Sequence, residues 1–154
     1  MDLTAYHYVS LFRENIQKYP KKEALMRKTD ASWQPISWEK LGTITTQLSK
    51  ALLQQGVAPQ QTVGILSQNT PQWTLTDLAC LQIRAVTVPI YTSNTAEQAL
   101  YVMNHAEIKF LFVGDEKQYL KALEVADQCP SLQKIILFDD HIPVSYTHLT
   151  LPTS

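Results

Sequence analysis

Short apolar runs alternate with longer helical patterns through most of the chain, and this alternation restricts the fold more than any other feature. Four of the runs have the length of strands and lie at residues 62–66, 85–90, 108–113 and 134–138. The runs at 62–66 and 108–113 have the aliphatic content of buried parallel strands, whereas Pro89 predicts that the strand at 85–90 ends or lies near an edge of the sheet. Because parallel strands need crossover connections, the pattern predicts an α/β fold, namely a parallel sheet of βαβ units with helices on both faces.

Helix-start signals place the helices between these strands. Thr70 is a suitable N-cap residue, and Pro71 follows it at the first helical position, where proline is favoured. The segment 94–97 is interpreted as a capping box that opens the next helix. Asp115, together with Gln118, predicts the start of a third helix.

The region before the first buried strand has a different pattern. We predict a helix over residues 4–18, followed by two short strands at 24–26 and 34–36 around a polar turn. Ser37 then caps a helix whose apolar stripe runs toward a C-terminal cap at Gly56.

Composition and charge exclude several classes of protein. The net charge is −1, with acidic and basic residues mixed along the chain, so the sequence lacks the basic footprint of a nucleic-acid-binding protein. No apolar run approaches the roughly 18 residues of a membrane-spanning helix, and the N-terminal residues do not resemble a signal peptide. Cys80 and Cys129 lie far apart and are expected to be buried free thiols. A cytoplasmic location is therefore expected.

The common catalytic motifs do not occur in the sequence. The four glycines are scattered, so no glycine-rich phosphate loop is formed, and no nucleophile elbow or zinc-binding helix motif is found. The segment 139–141, with sequence Asp-Asp-His, follows a predicted strand, and we interpret it as a polar turn rather than a metal site. From the residues alone we therefore predict neither a catalytic group nor a metal ligand.

Several segments of the chain form one collinear set. The first segment is Thr-Val-Gly-Ile-Leu-Ser-Gln-Asn-Thr-Pro-Gln-Trp at 62–73, and Ile-Ser-Trp at 36–38 lies further upstream. The remaining segments are 77–79, 84–91, 95–98, 101–104 and 108–113. This set, which covers about residues 5 to 139 in order, resembles the long-chain acyl-CoA synthetases, AMP-forming members of the adenylate-forming (AMP-binding) superfamily.

The resemblance implies a ligase that joins a fatty acid to coenzyme A at the expense of ATP, with Mg²⁺ as the metal ion. In that family, the phosphate-binding loop and the residues for Mg²⁺, ribose and carboxylate lie downstream of the matching segments. We therefore expect residues 1–140 to form an incomplete N-terminal lobe without catalytic residues, inactive by itself. Peripheral association with a membrane is compatible with this family, and the sequence predicts no oligomeric state.

The last stretch of the chain departs from the pattern. Residues 141–154 contain no charged residue and no glycine, and their apolar residues show no clear period. They also resemble translated adapter sequence at the end of a fragmentary reading frame. We predict that this tail is irregular and non-native.

One binding site follows from the resemblance. Some acyl-CoA synthetases place an aromatic residue against the adenine of coenzyme A at the position that Tyr91 and Thr92 occupy here. The accompanying arginines are missing, because Tyr119 and Ala122 stand at their places. The alternative is that Tyr91 simply packs at a sheet edge. Two lysines lie nearby and could supply charge to the nucleotide phosphate: Lys117 and Lys121.

Two other functions remain open at this point. The same adenylation fold serves ligases for other carboxylates, such as aryl or amino acids, and only a substrate pocket downstream would separate them. The chain could instead be a non-catalytic α/β binding module, which would be a compact monomer, whereas an incomplete lobe would expose an apolar sheet edge and face.

Overall fold

The central feature of the computed structural model, which describes residues 7–139 and 145–150, is a five-stranded sheet with a separate hairpin. The strands of the sheet lie in the order β4-β3-β5-β6-β7, and β1 pairs with β2. The elements are α1 Tyr8–Lys18, β1 Glu23–Lys28, β2 Trp33–Ser37, α2 Trp38–Gln54, β3 Thr62–Leu66, α3 Pro71–Gln82, β4 Val86–Ile90, α4 Ala96–His105, β5 Phe110–Val113, α5 Glu116–Val125, β6 Lys134–Asp139 and β7 Ser145–Thr150.

The first four strands of this sheet are parallel, as the alternating pattern predicts. In the register of the central strand β3, Gly64 lies opposite Val88 of β4 and Leu111 of β5. The strand β6 then pairs in parallel with the other side of β5. The predicted α/β architecture is therefore confirmed.

Helices cover both faces of the parallel strands, which explains why the strand sequences are apolar almost throughout. On one face, Leu52 of α2 and Ala79 of α3 pack with Ile65 and Phe112. On the other face, Met103 of α4 and its neighbours pack in a second cluster with residues of α5. A strand buried from both sides cannot alternate between polar and apolar residues.

A third cluster attaches the N-terminal part of the chain to the helices. Phe12 of α1 and Ile36 of β2 pack there with Leu41 of α2 and Leu75 of α3. The ring of Phe12 also lies against Trp38, with 6.3 Å between the ring centres. The hairpin and α1 thus form an outer layer over the α2–α3 face.

Three helices begin at the predicted N-cap residues, and the capping box of a fourth helix differs from the prediction. The side chains of Ser37, Thr70 and Asp115 each accept a hydrogen bond from the backbone three residues later. The capping box, however, consists of Thr95 and Gln98 instead of beginning at residue 94, because Thr95 has the extended backbone of an N-cap. Glutamine replaces the expected glutamate, since its amide oxygen accepts the Thr95 N–H equally well.

The strand β4 lies at one edge of the sheet, in agreement with the prediction from Pro89. Proline has no N–H to donate, so it is tolerated in a strand only where no partner needs that donor. In the parallel register, Pro89 lies opposite Ile65, and no strand of the described chain pairs with its other side.

The tail differs in part from the prediction of an irregular segment. Residues 145–150 form β7, which pairs antiparallel with β6 from Asp139 to Lys134. Without β7, the edge of β6 would offer unpaired backbone groups. Threonine and tyrosine are common strand residues, so residues 145–150 can form the hydrogen bonds that this edge needs. Residues 140–144 and 151–154 lie outside the described residues, and the non-native origin of the tail stays a prediction.

The carboxyl ends of β3 and β5 approach each other closely. The Gly114 N–H donates to the carbonyl oxygen of Leu66 at 3.0 Å. A Cβ atom at Gly114 would lie 2.8 Å from the Cβ and 3.0 Å from the Cα of Ser67. Only glycine therefore fits at this position without a shift of the backbone.

We expect Gly114→Ala to lower the free energy of unfolding by about 1–3 kcal/mol, because the added methyl group overpacks the contact with Ser67. Urea unfolding followed by circular dichroism measures this change. Combining it with Ser67→Gly, which removes the opposing side chain, should restore part of the loss. A Gly114→Ala chain as stable as the unmodified chain would contradict the proposed close contact.

Both cysteines are buried free thiols, as predicted. Burial raises the pKa of the Cys80 thiol to about 12 from an ordinary value of 9.0, the neighbouring Thr87 hydroxyl lowers it, and the carboxylate of Asp77 raises it. Above the ordinary pKa, the unfolded thiol ionises while the folded thiol stays protonated. Rising pH must therefore favour unfolding through this group.

We expect the stability contributed by Cys80 to be complete below about pH 8 and to fall by about 1 kcal/mol by about pH 10, as the thiol ionises in the unfolded chain alone. Urea unfolding across this range, compared with Cys80→Ala, isolates the effect from other groups that titrate there. Identical pH dependence in the two chains would show that Cys80 ionises equally in both states.

Candidate functional site

The carboxyl ends of the parallel strands meet at one edge of the sheet, where open α/β sheets bind their ligands. The chain leaves β3 toward α3 on one face and leaves β5 toward α5 on the other. These two strands are neighbours, so their ends form a topological switch point. Here the contact between Ser67 and Gly114 brings the two departing loops together.

The loop after β4 carries both predicted coenzyme A residues. The side chain of Tyr91 is 77% exposed, and Thr92 is half-buried beside it. The Asn94 N–H donates to the carbonyl oxygen of Tyr91 at 3.0 Å, which closes a turn immediately before α4. The tyrosine ring therefore projects into solvent from an ordered turn and does not pack at the sheet edge.

Lys121 of α5 anchors this turn. Its Nζ donates to the carbonyl oxygens of Thr92 and Asn94, both at 2.7 Å, and the side chain is partly buried. These bonds join the β4–α4 loop to α5. The lysine expected to supply charge to a phosphate is thus occupied with backbone carbonyls, whereas Lys117 is exposed on the first turn of the same helix.

Tyr119 and Ala122, which stand where the relatives have arginines, differ in how deeply they are buried. Ala122 is completely buried, and Tyr119 packs against the cluster beneath α4 and α5. The structure therefore brings Tyr91, Thr92 and Lys121 together, while Ala122 belongs to the core. The predicted contact with coenzyme A stays a prediction.

Two features of this region were missed by the sequence analysis. The Lys121 anchor joins residues about thirty positions apart, and no local pattern indicates it. The side chain of Gln118 is buried, and its Oε1 has no hydrogen-bond partner among the described residues. A polar residue on the buried side of α5 is a signal that the sequence carries, although Gln118 also fits the pattern of a helix start.

The described residues contain no group of three or more histidine, cysteine, aspartate or glutamate side chains that could hold a metal ion. Asp139 ends β6, whereas Asp140 and His141 of the predicted polar turn lie outside the described part of the chain. Among the helices of residues 7–139, none is both long and apolar enough to cross a bilayer.

Sequence comparison connects the chain to a family with known chemistry. The profile of the AMP-binding enzyme family matches residues 12–150. The long-chain-fatty-acid–CoA ligase ACSBG2 of Xenopus laevis is 32% identical over 132 residues, which are 86% of this chain and 18% of that protein. The human long-chain-fatty-acid–CoA ligase 1 is 30% identical over 117 residues, or 73% of this chain and 17% of that protein.

Solved structures share the fold at lower sequence identity. Acetoacetyl-CoA synthetase from Streptomyces lividans superposes with a TM-score of 0.80 at 20% identity, covering 90% of this chain and 23% of that chain. The anthranilate CoA ligase AuaEII, in complex with anthranoyl-AMP, gives 0.77 at 18% identity, covering 84% and 24%. This chain spans less than a fifth of the length of the two curated relatives. With the family profile matched over most of its length, the chain belongs to the AMP-binding enzyme family of adenylate-forming enzymes.

Proposed function

We propose that this chain is the N-terminal part of an ATP-dependent long-chain fatty acid–CoA ligase acting in the cytoplasm. The observation that carries the proposal is the match to long-chain-fatty-acid–CoA ligases over 73–86% of the chain at about 30% identity. The substrates would be a fatty acid, ATP and coenzyme A, with Mg²⁺ held by residues outside this chain.

The proposed reaction has two steps. The fatty acid carboxylate attacks the α-phosphorus of ATP, which forms an acyl-adenylate and releases pyrophosphate. The thiol of coenzyme A then attacks the acyl carbon, and AMP leaves as the thioester forms. Mg²⁺ would neutralise charge on the phosphate groups during the first step.

The part of this chain in the reaction is to position the nucleotide of coenzyme A. Tyr91 offers an exposed ring on a turn held by three hydrogen bonds, so stacking on the adenine would cost little ordering of the loop. Thr92 offers a hydroxyl group beside the ring. Lys121 acts here by holding the turn, and it would reach a phosphate only by giving up its carbonyl partners.

A ligase for another carboxylate is the second candidate. Among the solved structures with the same fold, one acts on anthranilate and another on acetoacetate according to their names, although identities of 18–20% support the fold alone. The strands and helices described here carry no feature that selects an acyl chain over an aromatic ring. The choice between them rests on the higher identity of the long-chain relatives.

We expect the 154-residue chain alone to show no fatty-acid-dependent exchange of labelled pyrophosphate into ATP. The product of the reading frame extended past the codon for Asp140 should show this exchange with palmitate and should form palmitoyl-CoA. Benzoate and amino acids serve as comparison substrates. Exchange by the short chain would refute its inactivity, and preference for an aryl or amino acid would replace the long-chain proposal.

In the extended protein, we expect Tyr91→Ala to raise the KM for coenzyme A by about tenfold while leaving pyrophosphate exchange unchanged, because a stacking contact on adenine is worth about 1–3 kcal/mol. Tyr101→Ala is the matched control, since Tyr101 is also an exposed tyrosine, 70% accessible on α4. An unchanged KM for coenzyme A in Tyr91→Ala would exclude the proposed contact.

A further inference from the structure

The side chain of Gln118 occupies a core position of α5. Gln118, Ala122 and Val125 follow one another at helical spacing, and all three are buried. Ala122 packs in the second cluster, together with Leu66 and Val113 at the carboxyl ends of β3 and β5. The amide of Gln118 therefore lies where the pattern of the helix calls for an apolar side chain, one helical turn nearer to the start of α5.

The amide oxygen of this residue is buried without a hydrogen bond. Gln118 is only 3% exposed, and its Oε1 has no partner among the described residues. A buried amide oxygen loses its hydrogen bonds to water, which costs free energy unless a protein donor replaces them. Because buried polar groups in folded proteins almost always have a partner, the oxygen indicates a donor outside residues 7–139 and 145–150.

The start of α4 shows what a local partner for such an oxygen looks like. Gln98 is the third residue of α4, as Gln118 is the third residue of α5. The Oε1 of Gln98 accepts the N–H of the N-cap residue Thr95 at 3.0 Å, which completes the capping box. In α5, the side chain of the N-cap residue Asp115 accepts the Gln118 N–H at 2.8 Å, but Gln118 does not form the return bond. Its oxygen is buried instead of closing the box.

The polypeptide that follows β6 leaves the sheet beside this residue. The strands β5 and β6 are parallel neighbours, and Val113 lies opposite Leu137 near their carboxyl ends. The helix α5 begins just after β5, and Leu137 packs against the same cluster as the inner side of this helix. A chain that continues from Asp139 therefore starts at the edge of the sheet where Gln118 is buried.

We propose that Oε1 of Gln118 accepts a hydrogen bond from a backbone N–H group of the polypeptide that follows β6 in the complete protein, and that this bond docks the segment against the first turn of α5. The inference rests on the proposed function, because it takes the chain as the N-terminal part of a longer ligase. This chain covers only 17–18% of the two curated relatives, so they have much further polypeptide to place. A peptide N–H suits the oxygen of a neutral amide, since neither group carries a charge that burial would penalise. Gln118 is then a positioning residue, which acts on the segment and not on a substrate.

The test is hydrogen exchange, followed by mass spectrometry, in the protein extended past the codon for Asp140. Gln118→Met replaces the amide by an apolar side chain of similar length. We expect amides of the segment after Asp139 to exchange about fivefold to tenfold faster in this variant, because one hydrogen bond is lost. Gln118→Glu keeps an acceptor oxygen at this position and should keep the exchange slow. Amides of α2 should keep their rates in both variants, which separates the loss of this bond from general unfolding.

The 154-residue chain should respond in the opposite direction. There, Gln118→Met removes an oxygen that has no partner, so we expect the urea midpoint to rise by about 0.5 M. Gln98→Met is the matched control, because the oxygen of Gln98 is bonded within the start of its own helix. It should lower the midpoint of the short chain and leave exchange after Asp139 in the extended protein unchanged.

Equal exchange after Asp139 in Gln118→Met and in the unmodified extended protein would overturn the proposal. Protection that depends on Gln118 only when coenzyme A is added would also overturn it, since the nucleotide would then supply the donor. These measurements need no catalysis. An extended protein that shows the expected exchange but ligates no fatty acid would therefore refute the proposed function and leave this docking contact in place.

Discussion

The structure depends on burying β3 from both sides. Val63, Ile65 and Leu66 of this strand are completely inaccessible to solvent, and each lies between two neighbouring strands or beneath a helix. An interior strand of this kind is stable only when helices cover both faces, which requires α2 and α3 on one side and α4 and α5 on the other. The positions of the helices, the close contact at Gly114 and the two separate hydrophobic clusters all follow from that requirement.

Most of this architecture could be predicted because its signals are local. The apolar run of β3 and the caps at Thr70 and Asp115 lie within a few residues of the elements that they define, and the structure has them in place. The shift of the capping box to Thr95 and Gln98 shows the limit of such signals. Asparagine and threonine are both good N-caps, and the choice between them depends on backbone geometry that sequence spacing does not determine.

The candidate sites were less predictable, because they depend on residues that are distant in sequence. The resemblance to acyl-CoA synthetases drew attention to Tyr91, but it gave no indication that Lys121 would hold the carbonyl oxygen of Thr92. In the same way, β7 depends on an open strand edge that exists only after β6 has joined the sheet.

The two sides of the parallel sheet differ in their capacity to accept another strand. On the β4 side, Pro89 removes one backbone donor in the middle of the exposed ladder, so a strand from another molecule would find an interrupted row of partners. On the β6 side, the ladder accepts six consecutive residues of β7 without a break. Growth of the sheet is therefore directional. Strands can be added beyond β6 as a polypeptide lengthens. Association of two molecules through the edge of β4, a common route to aggregation, is opposed by a single proline.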